Sequence, residues 1–138
     1  MLEIAVSRYK QVVASTSTPG ELLLALYGGL FRFLRTAKRS FETGNKAAAR
    51  QLISKAQAIL AELDVALDHE ISPELCQNLS ALYGFSIERL RIASRTATTA
   101  PIDEVIRVLT PLHEAWQIAV PRAVREQGAA EAARAKAR

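Results

Sequence analysis

The stretch from Thr18 to Phe41, TPGELLLALYGGLFRFLRTAKRSF, restricts the possible folds of this chain more than any other. Its apolar residues recur every three or four positions, as on one face of a long helix. They are Leu23, Leu26, Tyr27, Leu30, Leu34, Ala37 and Phe41, and the face is widened by Leu22, Leu24, Phe31 and Phe33. We therefore expect this helix to be covered from more than one side, either at the centre of a helical bundle or partly by another chain.

Capping residues predict where this helix begins and ends. Thr18 can accept a hydrogen bond from the N–H of Glu21, and Pro19 suits the first helical position, which needs no N–H donor. Gly44 followed by Asn45 offers the end of one helix and the start of the next in adjacent positions. So short a connection makes the first two helices antiparallel neighbours.

Three further segments have the apolar period of a helix. One extends from about Lys46 to Asp68, one opens at Ser72-Pro73 and frays near Ser94, and one begins at Pro101. No alternating pattern typical of strands competes with them. The predicted fold class is therefore all-α, an antiparallel four-helix bundle preceded by an N-terminal arm.

The domain organisation follows from these segments. Residues 1–17 form the arm, whose apolar residues have helical spacing; residues 18–121 form the bundle; and residues 122–138 form an alanine-rich basic tail that we expect to be frayed or disordered. Within the last helix, Pro111 is expected to introduce a kink, and Pro121 to end the helix or to restart it at an angle.

The net charge of +4 is concentrated in the tail. Between residues 122 and 138 five basic and two acidic side chains give +3, so the rest of the chain is nearly neutral. A basic helical protein associated with nucleic acid, or a generic protein-interaction bundle, is the alternative function, but no nucleic-acid recognition motif is present. The single cysteine, Cys76, favours a reducing compartment. Without a signal-like start or a long apolar run, we expect a cytoplasmic protein that does not insert into membranes.

Residues that could support catalysis or bind a metal are few and scattered. His69 and His113 lack a histidine or cysteine companion at helical spacing, and no glycine-rich loop suits a phosphate. We expect His113 to be a solvated side chain of the fourth helix and Cys76 to be a small buried hydrophobe. The prediction is a protein that is not an enzyme and that needs no metal or cofactor.

Two features allow two interpretations each. Gly28-Gly29 lies inside a helical pattern, where each glycine costs about 1 kcal/mol relative to alanine, so a neighbouring helix or a partner chain approaches closely there. Tyr9, Tyr27 and Tyr83 lie on or beside apolar faces, where they either pack in the core or line the rim of a groove for an incoming helix.

Several segments, in order, resemble the family of flagellar secretion chaperones called FliS. They are ALYGGLFRFLRTA after the Thr-Pro start, KAQAILAEL leading to ALDHE, CQNLSALYGF and LHEAW. The resemblance covers about Tyr9 to Trp116. The chain departs from the family pattern at Gly28, where an acidic residue is usual, at Ala93-Ser94, where Ala-Asn is usual, and at Pro111.

This resemblance implies a small helical bundle that binds the C-terminal segment of newly made flagellin in the cytoplasm. Such a protein prevents premature polymerisation and helps to deliver flagellin to the flagellar export gate. The arm would cover the binding groove in the absence of flagellin, and a homodimer through that groove is left open. The client-binding positions that the resemblance implies are Val6, Tyr9, Val13, Leu26, Tyr27, Asn78, Leu82 and Tyr83.

Overall fold

The computed structural model describes residues 18–137, which form four α-helices and no strand. The helices are α1 (Pro19–Glu42), α2 (Lys46–Val65), α3 (Pro73–Thr96) and α4 (Ala100–Lys136). Helix α1 packs against α2 and α4, and α3 packs against the same two helices, so the four helices form a closed ring. Short connections make successive helices antiparallel. The predicted four-helix bundle is confirmed; the arm, residues 1–17, lies outside the described residues.

The turn between α1 and α2 has the predicted capping residues. Gly44 adopts a φ of +84°, the left-handed conformation that ends many helices. Its N–H donates to the Phe41 carbonyl at 3.1 Å, and the N–H of Asn45 donates to the Ser40 carbonyl at 2.8 Å. The Asn45 side chain then accepts a hydrogen bond from the N–H of Ala48 at 3.2 Å and caps α2. Two adjacent residues therefore provide hydrogen bonds to backbone groups at the end of α1 and at the start of α2.

The other helix ends match the predictions in part. The Thr18 hydroxyl accepts the Glu21 N–H at 3.2 Å, as predicted. At the start of α3, Ser72 makes no side-chain capping bond, although Pro73 occupies the first turn as expected. Helix α2 ends at Val65, before the predicted limit.

Helix α4 continues through both of its internal prolines to Lys136, so the prediction that it ends at Pro121 is wrong. A proline leaves the carbonyl four residues earlier without its helical partner. Those carbonyls belong to Arg107 and Gln117, which are both exposed, so water can hydrogen-bond to them without breaking the helix.

The core runs the length of the bundle and takes side chains from all four helices. Its largest fully buried members include Tyr27, Leu30, Leu34, Ile53, Ile59, Leu60, Tyr83, Leu90, Ile102, Val105 and Leu109. Cys76 is buried as predicted, and its thiol donates to the Asp68 carbonyl at 3.3 Å. Gly29 is buried within α1, whereas Gly28 is only half-buried.

Alanine substitutions at Gly28 and Gly44 should have opposite effects on the stability of the protein. A Cβ on Gly28 would have only the Arg32 Nη1 nearby, at 3.9 Å, so Gly28→Ala should raise the free energy of unfolding by about 1 kcal/mol. At Gly44 the backbone has a positive φ, which is strained for a residue with a Cβ. Gly44→Ala should therefore lower the free energy of unfolding by about 1 kcal/mol. Urea denaturation measures both changes. A loss of stability in Gly28→Ala would mean that packing within the protein requires this glycine.

Candidate functional site

Two tyrosines meet at the centre of the bundle, although their helices do not pack against each other. The hydroxyls of Tyr27 on α1 and Tyr83 on α3 are 2.6 Å apart and share one hydrogen bond. Both side chains are inaccessible to solvent, with exposed fractions of 0% and 1%. Burial raises the pKa of both hydroxyls. The pair thus satisfies two polar groups that would each cost about 1–3 kcal/mol if buried alone.

Helices α2 and α4 add further polar atoms to this region. The Trp116 indole lies near the Tyr27 hydroxyl without hydrogen-bond geometry, and its Nε1 has no partner among the described residues. The Oδ1 atom of Asp64 is likewise buried and unpartnered within residues 18–137. The negative charge of Asp64 contributes to the raised pKa of Tyr83. Each helix therefore brings one polar side chain to the same part of the bundle.

His113 of α4 extends this cluster toward the surface. Its ring stacks on Tyr27 and Phe31, with centroids 5.7 and 5.0 Å away and interplanar angles of 18° and 16°. Burial, followed by the positive charge of Arg35, lowers the pKa of His113. The predicted solvated side chain is therefore wrong, because the ring packs between aromatic rings. The spacing of apolar residues in the sequence does not show that two rings of α1 lie opposite this position.

A groove opens at the end of the bundle where α1 and α3 begin and α2 ends. Its accessible volume is about 330 Å³, and most of its wall is apolar. The lining residues are Pro19, Leu22, Leu23, Leu26, Glu62, Leu63, Ala66, Leu67, Asp68, Leu79, Tyr83 and Trp116. Because these come from all four helices, the groove is the outer end of the core, where no residue between 18 and 137 closes it.

Helix α3 also exposes apolar side chains on its surface. Leu75, Asn78, Leu82 and Phe85 follow one another at spacings of three and four residues and therefore share one face. Leu75 is 50% exposed and Phe85 is 42% exposed, while Leu82 is half-buried and Asn78 is exposed. Arg89 continues this face and binds Glu104 of α4 at 2.8 Å, which places the face beside α4. We call it the α3 face.

The predicted client-binding residues fall into three groups. Leu26, Tyr27 and Tyr83 are buried, and two of them, Leu26 and Tyr83, reach the groove. Asn78 and Leu82 lie on the α3 face. The remaining residues, Val6, Tyr9 and Val13, lie outside the described residues.

The sequence prediction missed several residues of these surfaces. Leu75 and Phe85 lie seven residues before and three residues after Leu82, so helical spacing from that position could have identified them. The sequence places Trp116 on the apolar face of the fourth helix but does not indicate that it lines a groove. Its place in the groove depends on how α4 packs across the bundle, which no local pattern indicates.

Two general tests of the described residues are negative. Residues 18–137 contain no group of three histidine, cysteine, aspartate or glutamate side chains that could hold a metal ion. Across the same residues, none of the four helices combines the length and apolar character needed to cross a membrane.

Comparison with known proteins gives a consistent result. The family model described as "Flagellar protein FliS" matches residues 2–123. The flagellar secretion chaperone FliS of Bacillus subtilis is 34% identical over 112 residues, covering 81% of this chain and 83% of that protein. The proteins of the same name from Campylobacter jejuni and Salmonella typhimurium are 32% and 33% identical, covering 83% and 78% of this chain and 89% and 81% of those proteins.

Removing either tyrosine hydroxyl should leave the other without a hydrogen-bond partner. We expect Tyr27→Phe and Tyr83→Phe each to lower the free energy of unfolding by about 1–3 kcal/mol, since one buried hydroxyl then lacks its partner. The double variant should cost less than the sum of the two. Urea denaturation of all four proteins gives the coupling. Strictly additive losses would mean that the 2.6 Å contact contributes no hydrogen bond.

The same pair should make stability sensitive to alkaline pH. Both pKa values are raised in the folded protein. The folded protein therefore keeps the two hydroxyl protons at a pH at which the unfolded chain, with the ordinary tyrosine pKa of 10.0, has released them. This contribution to stability is complete below about pH 9 and is lost as the pH rises through the folded pKa values. The free energy of unfolding, measured between about pH 8 and pH 11, should fall less steeply in the double Tyr27→Phe, Tyr83→Phe variant. Equal slopes would contradict this account.

Proposed function

Because this chain belongs to the FliS family, we propose that it is a flagellar export chaperone that binds the C-terminal segment of flagellin and has no enzymatic activity. Its relatives carry the name flagellar secretion chaperone. In this role it acts in the cytoplasm, keeps flagellin from polymerising before export, and presents it to the flagellar export gate.

The observation that supports client binding best is the apolar surface that the described helices leave open. The groove at the bundle end and the α3 face are both apolar, and neither is covered by residues 18–137. Two more large apolar side chains, Val65 and Ile71, are 83% and 82% exposed near the connection between α2 and α3. Exposed apolar surface of this kind is typical of interaction sites.

The shape of this surface suits an amphipathic segment rather than a rigid globular partner. A helix placed along α3 could bury its apolar side chains against Leu75, Leu82 and Phe85, and the groove could take the continuing chain. A client that is disordered beforehand loses conformational entropy when it binds, so its affinity reflects the apolar area buried minus that cost.

We assign the residues different parts in this binding. Asn78 and Leu82 would touch the client directly, whereas Leu26 and Tyr83 would form the floor of the groove. Tyr27 would not touch the client, but its hydrogen bond would hold the Tyr83 ring in position.

The arm is assigned a part as well. The arm is joined in sequence to Thr18, and the next residue, Pro19, lines the groove. We propose that Val6, Tyr9 and Val13 contact the client and that the arm covers the groove when no client is bound.

Calorimetric titration with a peptide of the flagellin C-terminal region tests this function. We expect the wild-type protein to bind, and Leu75→Glu and Phe85→Glu each to weaken binding at least about tenfold, because a carboxylate would be buried against the client. Both sites are partly exposed, so the melting temperature should change little.

The matched control is Gln51→Glu, which adds the same charge at an exposed position of α2 away from the α3 face. It should bind like the wild type. Absence of any binding by the wild-type protein would overturn the proposed function. Equal affinities for all four proteins would instead place the client elsewhere on the bundle.

A further inference from the structure

Helix α4 extends well past the rest of the bundle. It has 37 residues, compared with 24 in α1 and 24 in α3. A Cβ on Gly20 would lie 2.9 Å from Val120 Cγ1, so the first turn of α1 is level with Val120. From Arg125 to Ala137 every residue is exposed, and the helical part of this extension is about 18 Å long. The match to the FliS family model ends at residue 123, before the extension begins.

One face of the C-terminal half of α4 carries three basic side chains. Positions separated alternately by four and three residues share a helical face. The residues of this face, beginning in the turn level with the start of α1, are Ile118, Arg122, Arg125, Ala129, Ala132 and Lys136, which we call the basic stripe. It holds three cations and no acid. Glu126 lies beside Arg122 but forms no ion pair with it, and no cation of the stripe is in a salt bridge among residues 18–137.

Stabilisation of the helix itself does not account for the stripe. A cation in the last turn interacts favourably with the helix dipole, and this explains Lys136. Arg122 and Arg125 lie about three turns earlier, beyond the reach of that effect. Alanine is the best helix former, so these arginines are not needed for their helix propensity.

We propose that the basic stripe is a docking surface for an acidic helix of a partner protein, separate from the client-binding surface. Ala129 and Ala132 are small enough for another helix to approach the backbone between the cations. Carboxylates spaced three and four residues apart on that helix would face Arg122, Arg125 and Lys136. Ile118, 69% exposed, is the only large apolar side chain of the stripe, so binding is mainly electrostatic and sensitive to salt.

The same composition disfavours other classes of partner. An interfacial membrane helix needs a wide face of large apolar residues, which alanines do not provide. Single-stranded nucleic acid is usually held by stacking on aromatic rings, and the stripe has none.

Fluorescence anisotropy with a synthetic probe tests this proposal on the full-length protein. The probe is a labelled alanine-rich helical peptide with a row of glutamates on one face, and its control replaces the glutamates with glutamine. We expect only the glutamate peptide to bind, and its affinity to fall several-fold between about 50 mM and about 200 mM sodium chloride. The triple variant Arg122→Gln, Arg125→Gln, Lys136→Gln should bind it about tenfold more weakly.

A charge-matched variant distinguishes the stripe from the general positive charge of the protein. Lys46→Gln, Arg95→Gln, Arg107→Gln removes three exposed cations from the bundle and should bind the probe like the wild type. Equal losses in the two triple variants, or binding of the glutamine peptide, would overturn the proposal. So would tighter binding of duplex DNA or of anionic vesicles, or salt-sensitive self-association through the stripe. Binding of the flagellin peptide should be unchanged by the stripe variant.

Discussion

The hydrogen bond between Tyr27 and Tyr83 is the interaction on which the arrangement of this bundle most depends. In a ring of four helices the diagonal pair α1 and α3 has no backbone contact, so only long side chains can connect them across the axis. Two tyrosines can do so, but only if each hydroxyl finds a partner, since an unpaired buried hydroxyl is costly. The bond therefore fixes the rotation of both helices about their axes. Leu23 and Leu79, each one turn nearer the open end, are placed by the same constraint as walls of the groove.

This constraint also bears on why the groove stays open although most of its wall is apolar. Apolar side chains at the open end would gain from closing together, but the polar cluster of Tyr27, Tyr83, Trp116 and Asp64 lies directly beneath them. Deeper insertion of the groove residues would have to displace this hydrogen-bonded pair. The buried hydrogen bond therefore opposes collapse of the groove.

Local patterns predicted the helices well, because their signals are local. Thr18, Gly44 and Asn45 act through hydrogen bonds to residues three to five positions away, and those spacings can be read directly. Apolar periodicity identified the inward faces of the helices but not how deeply each side chain is buried. It therefore left Tyr27 and Tyr83 equally suited to the core and to the rim of a groove. The environment of His113 depends on which rings of α1 lie opposite it, and sequence spacing does not contain that information. The continuation of α4 past Pro121 depends on whether the freed carbonyl meets water, which is likewise a property of the assembled bundle.

The tight turn at Gly44 and Asn45 has a consequence for the order in which the protein is assembled. Helices α1 and α2 are joined so closely that they can pair as soon as both have been synthesised, and contacts between near neighbours in sequence form quickly. The ring closes only when α4 reaches back to α1, the contact with the longest loop between its partners. Trp116 and His113 both belong to α4, so the groove and its aromatic wall are complete only when α4 has packed against α1.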